Sequence, residues 1–435
     1  MKATNIILQE NEGCEKDNDK MKLWIDTQGG FRDVVMVLTA IISLLREQGI
    51  EAEGIYASRF RSGSTRETPC PIVNQTEKYK IFKFVSAMQE FMDFGNATGL
   101  KAYYGEEDSF VQAIGKIADS IQMCQPQMFE EALRGFAAYL RFEQYKKDRR
   151  KDQYIQIFVD FIKKDYGVLL DKPDDTIEQI KWCVHKEFYQ QAMTIYTEKI
   201  PRYYAEKGIL DLKVDSRQKS RYGKNPYVDA FCTDLYDDML IDEKDRQLNE
   251  LLTKMIEYEK VNEPDSAVRY LQSQQAQGEL NPAVQMAVNT LIGRLQNSFD
   301  SSGKRKGKNK GTKTIQQYIM NYCDGQGKGN RAELLGEKNK YSNMKGYEKK
   351  VRAIEEAKNK NPELVKLMEY YLAIKLLRNR MNHASGEKGE EGEREAVAFL
   401  KAEGIDIGME IVQDELRIDY PKIKKLITDG LDCFH

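Results

Sequence analysis

The chain has 435 residues, and its 67 lysines and arginines against 69 aspartates and glutamates give a formal net charge of -2. This balance argues against a protein that binds nucleic acid through its overall charge, although a local basic site remains open. No run of 18 apolar residues occurs and the N-terminus is polar and acidic, which argues against a membrane helix and a signal peptide. We therefore expect a cytoplasmic protein. The seven scattered cysteines lack Cys-x-x-Cys spacing, so neither zinc nor a disulfide framework is expected.

Residues 21–58 have the pattern of a β-α-β unit. MKLWID (21–26) predicts a strand, residues 31–49 predict a helix that is apolar on most sides and hence largely buried, and IEAEGIYAS (50–58) predicts the next strand. Two strands joined by such a helix pair in parallel. The turn DTQGG (26–30) then lies at the carboxyl end of the first strand, where open α/β sheets bind ligands.

The pattern changes after a loop at 59–77 that is rich in Arg, Ser, Thr and Pro. From about residue 79 to 300, apolar residues recur at spacings of three and four, which predicts helices. One of them, at 178–201, contains His185, which we expect to be packed in the core. The chain thus predicts an α+β protein, with a Rossmann-like α/β domain at 1–78 followed by a large all-α domain at 79–435.

Two stretches rich in glycine and lysine interrupt the helical pattern. Residues 301–313 (SSGKRKGKNKGTK) contain six basic residues and no acid, so they form either a solvated linker or an arm that guides RNA. The GQGKGN stretch at 325–330 lacks a preceding strand and the spacing of a phosphate-binding loop, so we expect a plain loop.

The C-terminal region predicts one long helix and three shorter elements. The long helix begins at Pro362, after Asn361, and stops near Gly386. A short strand pair is predicted within 407–420, and a final helix is predicted at 421–431.

Near the end of the long helix, RNRMNH (378–383) places a histidine close to two arginines. Histidine can exchange a proton near neutrality because its ordinary pKa is ~6.5, and arginine can hold a phosphate through two hydrogen bonds. Asn379 and His383 lie four residues apart and share a helix face. Arg378 and His383 are separated by about 140° on an ideal helix with ~100° per residue.

Arg378 also continues an apolar stripe on the same helix. The stripe consists of Leu364, Met368, Tyr371 and Ile374. One interpretation is that two copies of this helix meet, so that the charges face a shared cleft. The other is a helix C-terminus with cations placed favourably against the helix dipole. Both remain open at the level of the sequence.

RNRMNH fits the R-x4-6-H motif of HEPN ribonucleases, including the common Asn directly after the Arg. IDTQGGFRD (25–33) resembles the strand-turn-helix signature of CARF sensor domains, which bind cyclic oligoadenylates in type III CRISPR–Cas defence. WCVHKEFYQQAMTIYTEKIPRYY (182–204) also resembles a helical segment of CARF–HEPN proteins. The similarity extends, with gaps, from about residue 20 to the C-terminus.

The resemblance implies a metal-independent endoribonuclease that cleaves single-stranded RNA, with the 2′-hydroxyl attacking the neighbouring phosphorus. Arg378 and His383 would form the catalytic pair, supported by Asn379, and two chains would place their motifs face to face in a homodimer. His383 would act in proton transfer or orientation, and Arg378 would stabilise charge on the phosphoryl oxygens. Neither a metal ion nor a cofactor is expected.

The resemblance also implies cyclic oligoadenylate as an allosteric activator. The ligand cleft would be lined by Thr27, Gln28, Gly29, Gly30 and Arg32. The glycines would let the backbone approach the ligand, and the helix start after Gly30 would offer N–H groups to a phosphate. Only about twenty residues precede the signature, so we expect a partial CARF domain without its N-terminal half. The chain also departs from the family at Gln28, where related proteins often have His.

Two alternatives remain open. The first is a HEPN toxin ribonuclease that acts without ligand control. The second is a non-catalytic helical interaction protein in which RNRMNH is only a capped helix end.

Overall fold

The computed structural model divides the chain into two compact units, Met1–Lys186 and Glu187–His435. The residues it describes are 5–11, 23–27, 32–58, 70–142, 145–147, 153–212, 225–278, 280–306, 314–323, 334–335, 341, 344–382, 391–412 and 415–433. Over these ranges, no helix is both long enough and apolar enough to span a membrane. The described chain is mostly helical with a small three-stranded mixed sheet, which confirms the α+β class with a large all-α region. The functional boundary after residue 78 stays a prediction.

The N-terminal sheet contains the predicted β-α-β unit. Strand β1 (Leu23–Asp26) pairs in parallel with β2 (Ala52–Ser58), and the helix Arg32–Glu47 connects them. Ile25 and Ile55 oppose each other across the two strands and are both buried. The parallel pairing follows from the crossover helix, because a helix of this length returns the chain to the same end of the sheet.

A third strand, β3 (Ile72–Asn74), was not predicted, because the sequence indicated a loop over 59–77. It pairs antiparallel with β2 and gives the sheet order β1-β2-β3. Three residues are too few for an alternating pattern to be recognised. A polar contact just after β3 also ties this segment to β2, since the Ile55 N–H donates to the Thr76 hydroxyl at 3.0 Å.

The crossover helix is less buried than predicted. Met36, Val37 and Leu44 are 74%, 56% and 52% exposed, whereas Leu45 is buried. The expectation of a largely buried helix is therefore wrong for the described residues. The physical reason is that the described sheet is only three strands wide and covers one side of a helix that is apolar on most sides.

Further helices of the first unit include Thr76–Phe94, Thr98–Tyr104, Ser109–Gln122, Pro126–Arg141, Gln153–Asp171 and Thr176–His185. Aromatic rings form the centre of their core: Phe158 contacts Phe84, Phe91 and Phe110 with ring centroids 5.7 to 6.0 Å apart. The start of the helix Ser109–Gln122 is capped by a side chain, since Asp108 accepts the N–H groups of the first turn at 2.9 and 3.1 Å.

The helix predicted over 178–201 is in fact two helices. One ends at His185, the next begins at Tyr189, and Glu187 between them has a φ of +61°. No Gly or Pro marks this break, so periodicity alone runs across it. His185 is the last residue of its helix and is exposed, so the expectation that it is packed in the core is wrong.

The second unit contains the π-helix Ala230–Leu235 and the strands β4 (Met409–Val412) and β5 (Glu415–Ile418). Its α-helices include Tyr189–Glu206, Pro226–Asp229, Tyr236–Met239, Glu243–Glu257, Pro264–Gln277, Pro282–Ser298, Ile315–Cys323, Gly346–Lys360, Pro362–Asn382, Glu391–Ala402 and Tyr420–Asp432. The antiparallel β4–β5 pair and the final helix confirm the predicted C-terminal elements.

Part of the basic stretch at 301–313 is ordered as a tight turn. Phe299 and Arg305 form an isolated antiparallel bridge, and Asp300 accepts the backbone N–H groups of Ser302 and Lys304, both at 2.9 Å. Residues 307–313 and the GQGKGN stretch at 325–330 lie outside the described residues. The choice between a linker and an RNA-guiding arm therefore stays open.

Candidate functional site

Residues 378–382 of the RNRMNH motif form the C-terminal end of the helix Pro362–Asn382, which we call the motif helix. The helix begins at the proline predicted from the sequence, because a proline at the first helical position has no N–H that needs a partner. It is buried on most sides through Val365, Leu367, Met368, Tyr371, Leu372, Ala373, Ile374, Leu376 and Leu377. Its polar C-terminal residues therefore follow a long apolar segment.

The helix Tyr189–Glu206, which we call the facing helix, runs antiparallel beside the motif helix. Gln190 near its start donates to the Asn382 side-chain oxygen at 2.8 Å. Further along, the Thr197 carbonyl accepts a hydrogen bond from the Tyr371 hydroxyl at 2.9 Å. The facing helix thus follows the last three turns of the motif helix.

Three of the four residues in the apolar stripe of the motif helix are covered by their own chain, whereas Leu364 is partly exposed. Met368 and Ile374 are fully buried, and the Tyr371 ring lies 4.6 Å from Phe231 and 6.4 Å from Tyr196 between ring centroids. These three residues therefore need no second copy to be covered. An arginine at the end of the stripe requires a polar partner within the same chain.

Arg378 has that partner on the facing helix. Its Nη1 donates to Thr197 Oγ1 at 2.8 Å and to Glu198 Oε1 at 3.0 Å. The Arg378 side chain is 22% exposed, and its Nε is buried without a hydrogen-bond partner among the described residues. Because a guanidinium has five N–H donors, these contacts use only part of its capacity.

The next residues of the motif are held by other helices. Asn379 Nδ2 donates to the Tyr347 hydroxyl at 3.2 Å, and Arg380 forms an ion pair with Glu393. Arg378 and Asn379 are therefore oriented by different neighbouring helices. His383, the other predicted catalytic residue, lies outside the described residues.

Thr27 is the only predicted ligand residue whose side chain is described. Its N–H and its hydroxyl both donate to the Tyr56 carbonyl at 2.9 Å, which ties the end of β1 to β2. The other predicted ligand residues lie outside the described residues, Arg32 through its side chain and Gln28, Gly29 and Gly30 entirely.

A polar cluster that the sequence did not indicate lies beside Arg378. Lys375 Nζ donates to Cys232 Sγ at 3.0 Å, and the Cys232 thiol donates to the Tyr371 hydroxyl at 3.2 Å. Burial, with the sulfur adjacent, raises the pKa of Tyr371 well above its usual range, so the phenol keeps its proton. Lys375 and Cys232 are 143 positions apart, and no local pattern relates them.

Within the described ranges, no group of three or more His, Cys, Asp or Glu side chains could hold a metal ion. Comparisons with protein-family models, curated proteins and solved structures found no match. A functional proposal therefore depends on the chemistry of the residues themselves and on the resemblance of their motifs.

Proposed function

We propose that this protein is a metal-independent HEPN endoribonuclease that cleaves single-stranded RNA and is activated by cyclic oligoadenylate in type III CRISPR antiviral defence. The main support is the position of Arg378. It lies at the end of the motif helix, five residues before His383, and is oriented by Thr197 and Glu198. An arginine that is already oriented loses little conformational freedom when it binds a phosphate.

In this proposal the 2′-hydroxyl attacks the adjacent phosphorus and the bond to the 5′-oxygen breaks. The products carry a 2′,3′-cyclic phosphate and a 5′-hydroxyl. His383 transfers or orients the proton, Arg378 stabilises the charge on the phosphoryl oxygens, and Asn379 supports them. Because Glu198 already neutralises part of the arginine's charge, the phosphate competes with this carboxylate or uses the remaining N–H groups.

The proposal includes a homodimer in which two motifs face each other. Its basis is the resemblance alone, because Met368, Tyr371 and Ile374, three of the four residues of the apolar stripe that favoured a second copy, are buried within one chain. The proposal also includes a cyclic-oligoadenylate site at the end of β1, formed by Thr27, Gln28, Gly29, Gly30 and Arg32.

A second candidate function is a non-catalytic helical interaction protein. The Arg378–Glu198 ion pair favours it, because this contact gives Arg378 a structural role that needs no substrate. A ribonuclease without ligand control is the remaining alternative.

One assay distinguishes the three candidate functions. The purified protein is incubated with single-stranded RNA in excess EDTA, with and without cyclic tetra- and hexa-adenylate, and the product ends are identified. Arg378→Ala is compared with Arg380→Ala, a matched control that removes the same charge two residues away, where the arginine is paired with Glu393.

Ligand-stimulated cutting that leaves 2′,3′-cyclic phosphates, and that Arg378→Ala but not Arg380→Ala abolishes, is the expected result. Constant cutting indicates the ribonuclease without ligand control. Absence of cutting under all conditions supports the interaction protein. Cutting that requires Mg²⁺ contradicts the HEPN assignment.

A further inference from the structure

The π-helix Ala230–Leu235 brings a thiol to the middle of the motif helix. Cys232 is partly buried, and its sulfur lies 3.0 Å from Lys375 Nζ and 3.2 Å from the Tyr371 hydroxyl. The Lys375 ammonium also lies over the Tyr371 ring, 5.6 Å from its centroid. π-Helical turns are rare and are frequently found at functional sites. The cluster therefore places a nucleophilic sulfur and an amine in direct contact on two different elements.

We propose that Cys232 and Lys375 form a reversible covalent link when the protein is exposed to peroxide. The link is a sulfenamide, a single bond between Cys232 Sγ and Lys375 Nζ, that joins the π-helix to the motif helix. Neither residue takes part in the proposed ribonuclease chemistry, so the inference stands or falls independently of that function.

The reaction has two balanced steps. The Cys232 sulfur attacks one oxygen of hydrogen peroxide, an S–O bond forms and the O–O bond breaks. The sulfur is oxidised by two electrons to a sulfenic acid, and the second oxygen leaves as water with the thiol proton. The Lys375 amine, after giving its ammonium proton to solvent, attacks the sulfur. The S–N bond forms, the S–O bond breaks, and the hydroxyl leaves as water with a proton from the amine.

The distance between the two atoms favours the second step. Reacting atoms that are held about 3–3.5 Å apart react as if at very high local concentration. Lys375 Nζ and Cys232 Sγ already lie at 3.0 Å. Lys375 is also fixed along the Tyr371 ring, and Tyr371 is itself held by the Thr197 carbonyl at 2.9 Å.

Cys183 and Cys433 lack this arrangement. Cys183 is fully buried, and burial raises the pKa of its thiol. Burial raises the pKa of Cys433 to about 11, and its thiol donates to the Asp429 carbonyl. Since the thiolate is the nucleophile, both should react slowly with peroxide at neutral pH. Cys433 thus provides an internal control in the same unit.

The test is peptide mapping of the full chain after a short treatment with hydrogen peroxide. Trypsin releases Cys232 in peptide 225–244 and Lys375 at the end of peptide 367–375. The link blocks cleavage after Lys375, so we expect peptide 225–244 joined to 367–378. The pair should be lighter by two hydrogen atoms than the reduced peptides together, and dithiothreitol should separate it.

Three variants complete the design. Cys232→Ser and Lys375→Arg should both abolish the linked peptide, since arginine keeps the charge but is a very weak nucleophile. Cys433→Ser should leave it unchanged. Thermal melts confirm that the variants are folded. The proposal is overturned if peroxide converts Cys232 to dimedone-reactive sulfenic acid or to sulfinic acid without any linked peptide. It is equally overturned if Cys232 stays reduced while Cys433 is oxidised.

Discussion

Arg378 of the motif helix and Glu198 of the facing helix form an ion pair at 3.0 Å within one chain. The arginine is 22% exposed and the glutamate 38% exposed. This contact explains why an arginine can end an apolar stripe without a second copy of the helix. It also means that the proposed catalytic arginine has a structural partner, so its two roles must be separated by experiment.

The coupling between Arg378 and Glu198 should be weak. Partly exposed ion pairs contribute about 0.2–1 kcal/mol, because water and salt screen them. We expect a double-mutant cycle of Arg378→Ala and Glu198→Ala, measured by urea unfolding, to give a coupling in this range. The same cycle on Arg380 and Glu393, whose side chains are each only 17% exposed, is the control and should give a larger value. A coupling at Arg378 above that of the control pair would indicate a mainly structural arginine.

Replacing His383 should remove activity rather than stability. The residue follows the last described turn of the motif helix, and loss of one proton-transfer group reduces rates by ~100–10,000-fold. We expect His383→Ala to lose RNA cleavage to this extent with an unchanged melting temperature. His185→Ala, at another helix end and exposed, is the matched control and should cut at the parental rate. An unchanged rate in His383→Ala would remove this histidine from the mechanism.

A catalytic site formed by two facing RNRMNH motifs requires two chains. Light scattering at micromolar concentration should therefore give twice the mass of one chain. The unit Glu187–His435 should contain the contact, since the motif helix belongs to it. A monomer at these concentrations would exclude a site formed by two facing motifs and would leave Arg378 with its intrachain partner only.

The sequence predicted those elements whose pattern is local. The parallel β1–β2 pair follows from strand-helix-strand order, and the motif helix begins at the predicted Pro362. Strand β3 has too few residues for a pattern, and the break at Glu187 has neither Gly nor Pro. In both places, backbone hydrogen bonds and packing from distant residues decide the structure.

The surroundings of the candidate site were less predictable. RNRMNH marked Arg378, but nothing near it in sequence indicated Glu198, which is 180 positions away. Cys232 and Lys375 meet only because the π-helix packs on the motif helix. Tertiary packing brings such distant residues together, and the spacing of apolar residues along the chain does not predict these contacts.

Alkaline pH should destabilise the protein, because Tyr318 and Tyr370 lose their phenolic protons at a higher pH in the folded chain than in the unfolded chain. Burial and the hydrogen bond to Tyr322 raise the pKa of Tyr318 to about 12, and burial raises the pKa of Tyr370 to about 12. Below about pH 10, the ordinary tyrosine value, these two phenols are protonated in both states and contribute no pH dependence to the stability. Between about pH 10 and 12 the unfolded chain releases protons that the folded chain keeps, so stability falls.

Thermal melts between pH 8 and pH 12, with tyrosinate absorbance recorded in parallel, check this prediction. The melting temperature should begin to decrease between about pH 8.5 and 10, where the thiols of Cys183 and Cys433 ionise in the unfolded chain only, and should decrease more steeply above about pH 10, where the tyrosines add to the effect. Tyr318→Phe, which removes one of the raised groups, should make the decrease shallower. A melting temperature that stays constant to pH 12 would contradict the raised values.

Gly303 should tolerate no side chain. It has a φ of +73°, and a Cβ atom there would collide with the backbone carbonyl of Asn262. Gly404 has a φ of +81° but has open space around its Cβ position. Both substitutions to Ala therefore incur left-handed backbone strain of about 1–2 kcal/mol, but only the first adds a clash with backbone. We expect urea unfolding to show Gly404→Ala destabilised within that range and Gly303→Ala destabilised clearly more, since a carbonyl cannot rotate away as a side chain can. Equal losses at the two positions would mean that the turn at 300–304 shifts to accept a methyl group. That turn would then be too compliant to hold Lys304 and Arg305 in fixed positions.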